Sequence, residues 1–131
     1  MVETALVEKD LEEGRRLIDA LKESKPGWAS FRVRAAFWQY RNDWDEWRLV
    51  IATPLLEEKG RLATYAHLRR VLGSIKAELP PQKISIVSPH DPLVTAFRGA
   101  LRVAPNPKGV RFTKSMVGDT YVEDAYLYRL V

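Results

Sequence analysis

Leu49-Val50-Ile51-Ala52-Thr53-Pro54 and Ile84-Ser85-Ile86-Val87-Ser88-Pro89 share one pattern: an apolar run ending in a hydroxyl residue and a proline, with helical periodicity after it. Short apolar, β-branched runs read as strands with buried faces, and the helical segment between them supplies the crossover that parallel neighbours require. The two strands are therefore expected side by side and co-directional in one sheet. Their carboxyl ends then share a rim, which is where open α/β sheets bind ligands.

At 131 residues the chain reads as one domain, 1–131, long enough to bury roughly two-thirds of the surface its unfolded form exposes. A composition 46% hydrophobic and 29% charged, with mean hydropathy −0.27, is that of an ordinary globular protein. Lack of cysteine excludes disulfides, thiol catalysis and thiolate metal sites, leaving His67 and His90 as the imidazoles. No apolar run approaches the roughly 20 residues of a membrane span, and the acidic N-terminus lacks the basic-then-apolar order of a signal peptide. The expectation is a cytoplasmic protein without membrane contact.

Net charge is +4, so its distribution matters more than its total. Residues 1–27 carry seven acids against five bases, whereas 92–118 contain Arg98, Arg102, Lys108, Arg111 and Lys114 with no acid. A charge run of this size is ordinarily a solvated face.

Along the chain, residues 5–23 place Val7, Leu11, Leu17, Ile18 and Leu21 near one helical face, and Pro26-Gly27 stops the pattern. From Phe31 the period becomes two: Phe31, Val33, Ala35 and Phe37 point one way, and Arg32, Arg34, Ala36, Trp38 and Tyr40 the other. That predicts a strand with one buried face. Turn composition at Arg41 to Asp45 and alternation through Trp47, Leu49 and Ile51 predict a hairpin. An odd loop of three or five residues would keep Phe37 on the face of Trp47 and Leu49. Leu55 to Ala63 reads as a charged connection, with Thr64 capping a helix to about Leu79. Ile84 to Val87 is the third strand, Leu93 to about Arg102 the third helix, and Ala104 to Gly109 irregular. Val110 to Val117 and Tyr121 to Leu130 form a hairpin around Gly118-Asp119, pairing Lys114 with Glu123 and Arg111 with Tyr126. The fold class is α+β: a five-stranded mixed sheet with two β-hairpins and three packed helices, in the order α-β-β-α-β-α-β-β.

The stretches Trp47 to Pro54, Ser88 to Leu93 and Asp124 to Leu130 together resemble small uncharacterised bacterial proteins. The resemblance implies a bacterial cytoplasmic origin and brings no activity, cofactor or catalytic residue.

With the two strands parallel, Thr53, Ser88, His90 and Asp91 converge at one rim beneath the N-terminal amides of the third helix, suiting a small anion or phosphoryl group. Capping accounts for the same residues: Asp91 is a favoured N-cap, Pro92 a favoured first helical residue, and Ser88-Pro89 a strand terminator. No nucleophile, base and orienting acid share a pattern, so no catalytic residue is assigned. His67 and His90 lack ligand-like spacing to Asp91, Asp119, Glu123 or Asp124, so no metal or cofactor is expected. Glu57-Glu58-Lys59 has the residue types of a nuclease core, but a solvated connection explains it more simply.

Three readings of function follow, in order. A binding or accessory protein acting through another protein, or through its own copies, is supported by generous aromatics: Trp28, Trp44 and Trp47 sit near loops, and Tyr126 and Tyr128 alternate on a terminal strand read as an open edge. Single-stranded nucleic-acid binding is supported by a basic-aromatic strand face of Arg32, Arg34, Trp38, Tyr40 and Arg48, with Arg98, Arg102, Lys108, Arg111 and Lys114 adding charge. Helices covering that face would turn its aromatics into core. A small-ligand or phosphoryl enzyme at the strand rim comes third.

Overall fold

The computed structural model describes residue 6 and residues 8–23, 31–100 and 109–130. Trp28, Arg102, Lys108 and the stretch before Gly109 expected to be irregular lie outside the described residues. The elements are α1 (Glu8–Lys22), β1 (Ala35–Arg41), β2 (Glu46–Ala52), α2 (Leu55–Ser74), a 3-10 turn (Pro81–Lys83), β3 (Ile84–Val87), α3 (Pro92–Ala100), β4 (Val110–Val117) and β5 (Thr120–Leu130). The strands form one mixed sheet in the order β3-β2-β1-β5-β4, so the α+β class and element order are as expected.

β2 and β3 are parallel, with Leu49 opposite Ile84 and Ala52 opposite Val87, and the Thr53 N–H donates to the Val87 carbonyl at 3.1 Å. The other neighbours are antiparallel. The repeated apolar-hydroxyl-proline pattern therefore does mark two strands ending at one rim.

Helices cover both faces of the sheet. On one, Leu17, Ile18 and Leu21 of α1 and Leu68, Val71 and Leu72 of α2 bury Ala36, Trp38, Trp47, Leu49, Ile51, Ile84, Ile86 and Tyr128. On the other, Leu93, Val94 and Phe97 of α3 pack with Ala35, Phe37, Val50, Ala52, Val122, Ala125 and Leu127. This double cover corrects the one-sided strand expected for β1, since Ala35, Ala36, Phe37 and Trp38 are all buried. It also corrects the hairpin loop. Arg41 pairs with Glu46 across four residues, Asn42 to Asp45, which places Phe37 opposite Val50 and Trp38 opposite Leu49. Side chains directly opposite share a face, so an even loop puts Phe37 with Val50; with apolar cover on both sides, neither strand's set reaches water.

Other boundaries shift for local reasons. Burial alternates from Phe31, but Arg32 at φ 50° breaks the extended chain, and the ladder begins at Ala35. Helix α2 starts at Leu55 rather than Thr64, running through a break at Gly60 (φ 84°, ψ 168°), a conformation open chiefly to glycine. Thr64 is no N-cap: its hydroxyl donates back to the carbonyls of Gly60 at 2.7 Å and Leu55 at 3.3 Å. The helix ends at Ser74, short of Leu79, with Lys76 at φ 51° just beyond.

The β4–β5 turn is the expected two-residue Gly118-Asp119, with Val117 opposite Thr120 and Arg111 opposite Tyr126. The expected Lys114–Glu123 pair is not part of the ladder. Lys114 is at φ 45°, and the Glu123 carboxylate instead accepts the Asn42 N–H at 2.9 Å. β5 is no edge, because it lies between β1 and β4. Its pairing with β1 slips between Ala36 and Phe37, leaving Tyr128 as an extra, bulged residue aimed toward α1. There its hydroxyl accepts the Trp38 Nε1–H at 2.9 Å and donates to the Leu11 carbonyl at 2.6 Å. Helix α1 comes this close because residue 14 is glycine: a Cβ there would meet the Tyr128 hydroxyl at 2.6 Å and Trp38 Nε1 at 3.0 Å.

Candidate functional site

The carboxyl ends of β2 and β3 bring Thr53, Ser88, His90 and Asp91 to one rim, where the side chains of Thr53, Ser88 and Asp91 bond neighbouring protein groups. Thr53, fully buried, donates its hydroxyl to the Phe31 carbonyl and accepts the Leu55 N–H at 3.1 Å, starting α2. Ser88 donates to the Glu57 carboxylate at 2.9 Å and accepts the His90 N–H at 3.1 Å. The Asp91 carboxylate accepts the Leu93 N–H at 3.1 Å while its carbonyl accepts the Thr95 N–H at 2.9 Å, the geometry of an N-cap with Pro92 as first helical residue. His90 is exposed. These contacts make the rim a set of strand and helix terminators.

The basic-aromatic face is dispersed. Trp38 lies under α1 with 1% of its surface exposed, and Tyr40 leans on Trp47 at 5.8 Å between ring centroids. Arg48 pairs across the ladder with Gln39, on the opposite side of the sheet from Trp38. Arg32 pairs with Glu58 and Arg48 with Glu46, while Arg111 holds both Asp124 oxygens and lies over Trp47. Arg98 donates to the Pro89 carbonyl at 2.9 Å. Arg34 and Lys114 are exposed. No stacking platform for unpaired bases is assembled from these residues.

His67 stacks on Phe31 at 5.6 Å, and burial with Arg70 nearby holds its pKa below the ordinary value. Among the described residues no three His, Asp or Glu side chains converge as metal ligands. Nor is any helix among them long and apolar enough to cross a membrane.

What the fold does build is a groove of about 530 Å³ on the α3 side, beside the β1–β2 hairpin. Helix α3 covers only part of that sheet face. Half-buried Val87 lies in the groove's floor over the buried side chains of Phe37 and Val50, and the first residues of α3, Asp91, Pro92 and Leu93, make one wall. Gln39 and Ser85 line the groove where α3 does not reach, and Thr120, Tyr121 and Glu123 come from β5. The hairpin supplies Arg41, Asp43 and Trp44. The Trp44 ring is held by two guanidinium groups, Arg48 at 4.6 Å and Arg41 at 4.9 Å from its centroid. Arg41 in turn donates to both Asp43 oxygens, at 2.9 and 2.7 Å.

Sequence reasoning singled out Trp44 and Asp91 but not Gln39, Ser85, Thr120 or Tyr121. A signal was present: on that face β1 turns from Ala35 and Phe37 to Gln39 and Arg41, and β3 carries Ser85 beside Val87, a change from apolar to polar where the helical cover stops. Compared with known proteins, the chain matches no family model, no curated protein and no solved structure, so the reading of this site rests on its own geometry.

Proposed function

We propose that the protein is a binding or accessory domain acting through another protein, whose side chains enter the groove beside α3. The observation that carries this reading is the groove's construction: an apolar floor, a polar rim, and two aromatics at its mouth. Trp44 is braced by two arginines, and Tyr121 is 55% exposed. A concave apolar surface ringed by polar groups and anchored by aromatics is the usual form of an interface hot spot. The rim of β2 and β3 favours a phosphoryl ligand less, because capping accounts for Thr53, Ser88 and Asp91.

Photo-crosslinking from position 119, exposed in the turn beside the groove, in the full chain, with identification of the captured protein, tests the reading. The same protein should bind wild type and lose at least about tenfold in affinity with Tyr121→Ala, a loss typical of a central aromatic anchor. Ser85→Arg, which fills the groove without touching its aromatics, should abolish binding. Unchanged affinity in both variants overturns the proposal. Capture of a second copy would make the partner the protein itself, which sedimentation then confirms or excludes.

A further inference from the structure

We propose that the outer face of α2 docks on the phosphate backbone of a nucleic-acid duplex, a role separate from the groove and carried by a different set of residues. Residues 59–77 contain Lys59, Arg61, Arg69, Arg70 and Lys76 and no acid, and all five bases are exposed. On the sheet, by contrast, Arg41, Arg48 and Arg111 each meet a carboxylate. Lys59, Arg61, Arg69 and Lys76 have no carboxylate partner among the described residues. The two acids that begin the helix are engaged elsewhere, Glu57 with Ser88 and Glu58 with Arg32. α1, packed beside α2, carries both signs of charge and more acids than bases, which confines the attraction to α2.

The shape of the face selects the polyanion. Beyond the break at Gly60, residues 61–74 make a helix roughly 21 Å long. Its solvent side carries Ala63, Ala66 and Gly73 beside Arg69 and Arg70, with Arg61 over Tyr65 on one flank and Lys59 and Lys76 just beyond the two ends of this run, and a Cβ placed at Gly73 would meet no atom within 4 Å. Small residues let the helix axis approach a backbone closely while arginine forks reach phosphate oxygens on either flank. Single strands are bound by stacking on exposed aromatics, and this face offers none: Tyr65 is half-buried with Arg61 over its ring at 5.2 Å. A membrane surface is disfavoured too, because an interfacial helix needs a broad apolar face and here Leu62 is the one large apolar side chain pointing outward.

The test is fluorescence anisotropy of a labelled random-sequence DNA duplex with the full chain across a salt series. Four backbone contacts predict a slope near −3.6 in log K against log salt, so affinity falls on the order of a hundredfold between about 50 and about 200 mM. Neutralising two of them in Arg69→Gln with Lys76→Gln should reduce the slope by about 1.8, whereas Arg69→Lys should leave it unchanged. Melting temperatures of the variants close to wild type show that the fold is retained. An unchanged slope in the double variant overturns the proposal, as does no binding at the lowest salt. Tighter binding to a single strand, or to phosphatidylcholine vesicles doped with phosphatidylserine, overturns it equally.

Discussion

Tyr128, Trp38 and Gly14 form the contact on which the seating of α1 depends, and each constrains the others. Tyr128→Phe strands the Trp38 N–H in the interior, so a loss of about 1–3 kcal/mol is expected in urea denaturation. Gly14→Ala forces a Cβ against the same hydroxyl and indole; displacement costing about 1–3 kcal/mol outweighs the gain of at most about 1 kcal/mol in helix propensity. Combined with Tyr128→Phe, the alanine should cost less than it does alone, because the atom it strikes first is gone. Burial, outweighing the Trp38 hydrogen bond, pushes the Tyr128 phenol well above its ordinary pKa near 10. A raised folded pKa means the contribution is complete below the unfolded value and lost as pH climbs past it, so wild type should weaken above about pH 10 more steeply than Tyr128→Phe. Glu13 behaves oppositely. The Glu78 N–H at 2.7 Å, and then Arg16 at 2.7 Å, hold its pKa below the ordinary 4.5. Its contribution is present above that value and disappears as pH drops through the folded one, so Glu13→Gln should flatten the acid limb of a stability-pH profile.

Among the elements, α3 shows how a residue legible in the sequence acquires its meaning from its neighbours. Asp91 and Pro92 announce a helix start, and the hydrogen bond to the Leu93 N–H makes Asp91 a cap. Asp91→Ala should therefore cost about 1 kcal/mol in chemical denaturation and Asp91→Asn much less. His90→Ala should leave both stability and any phosphate-induced thermal shift unaltered; a phosphate shift that vanished with His90 would revive the ligand reading of the rim. Strands β2 and β3, α3 and the Gly118-Asp119 turn were readable because each combines a period with a local stop signal. The start of α2 was not, since Leu55 to Ala63 has the composition of a loop, whereas a short helical run precedes the break at Gly60 and a longer one follows it. Alternation in β1 implies one buried side and with it an odd hairpin loop, but the loop has four residues because both sides are covered. In a strand covered on both sides, Ala36 and Trp38 are as interior as Ala35 and Phe37.

At the scale of the whole molecule, three helices shared unequally between two faces create the groove, and this is why the candidate site was only partly legible. Trp44 and Asp91 stand out as residues, but the extent of α3's cover is a property of packing that no local pattern states. The sheet's two outer edges are both blunted. β3 is four residues long and its Ile86 N–H is taken by the Tyr65 hydroxyl at 2.9 Å, while β4 is interrupted by Lys114 in a left-handed conformation. Charge and irregularity at an edge oppose strand addition by another chain. Lys114→Thr, which removes that charge beside exposed Met116 and Tyr121, should raise the self-association constant in sedimentation relative to wild type. The strand order has a further effect, on biosynthesis. β1 stands at the centre, yet the neighbour on its far side, residues 120–130, is translated after every other strand. A nascent chain lacking that segment holds a raw hydrogen-bonding border beside its own interior, so the ribosome must deliver residues 120–130 before the sheet can close.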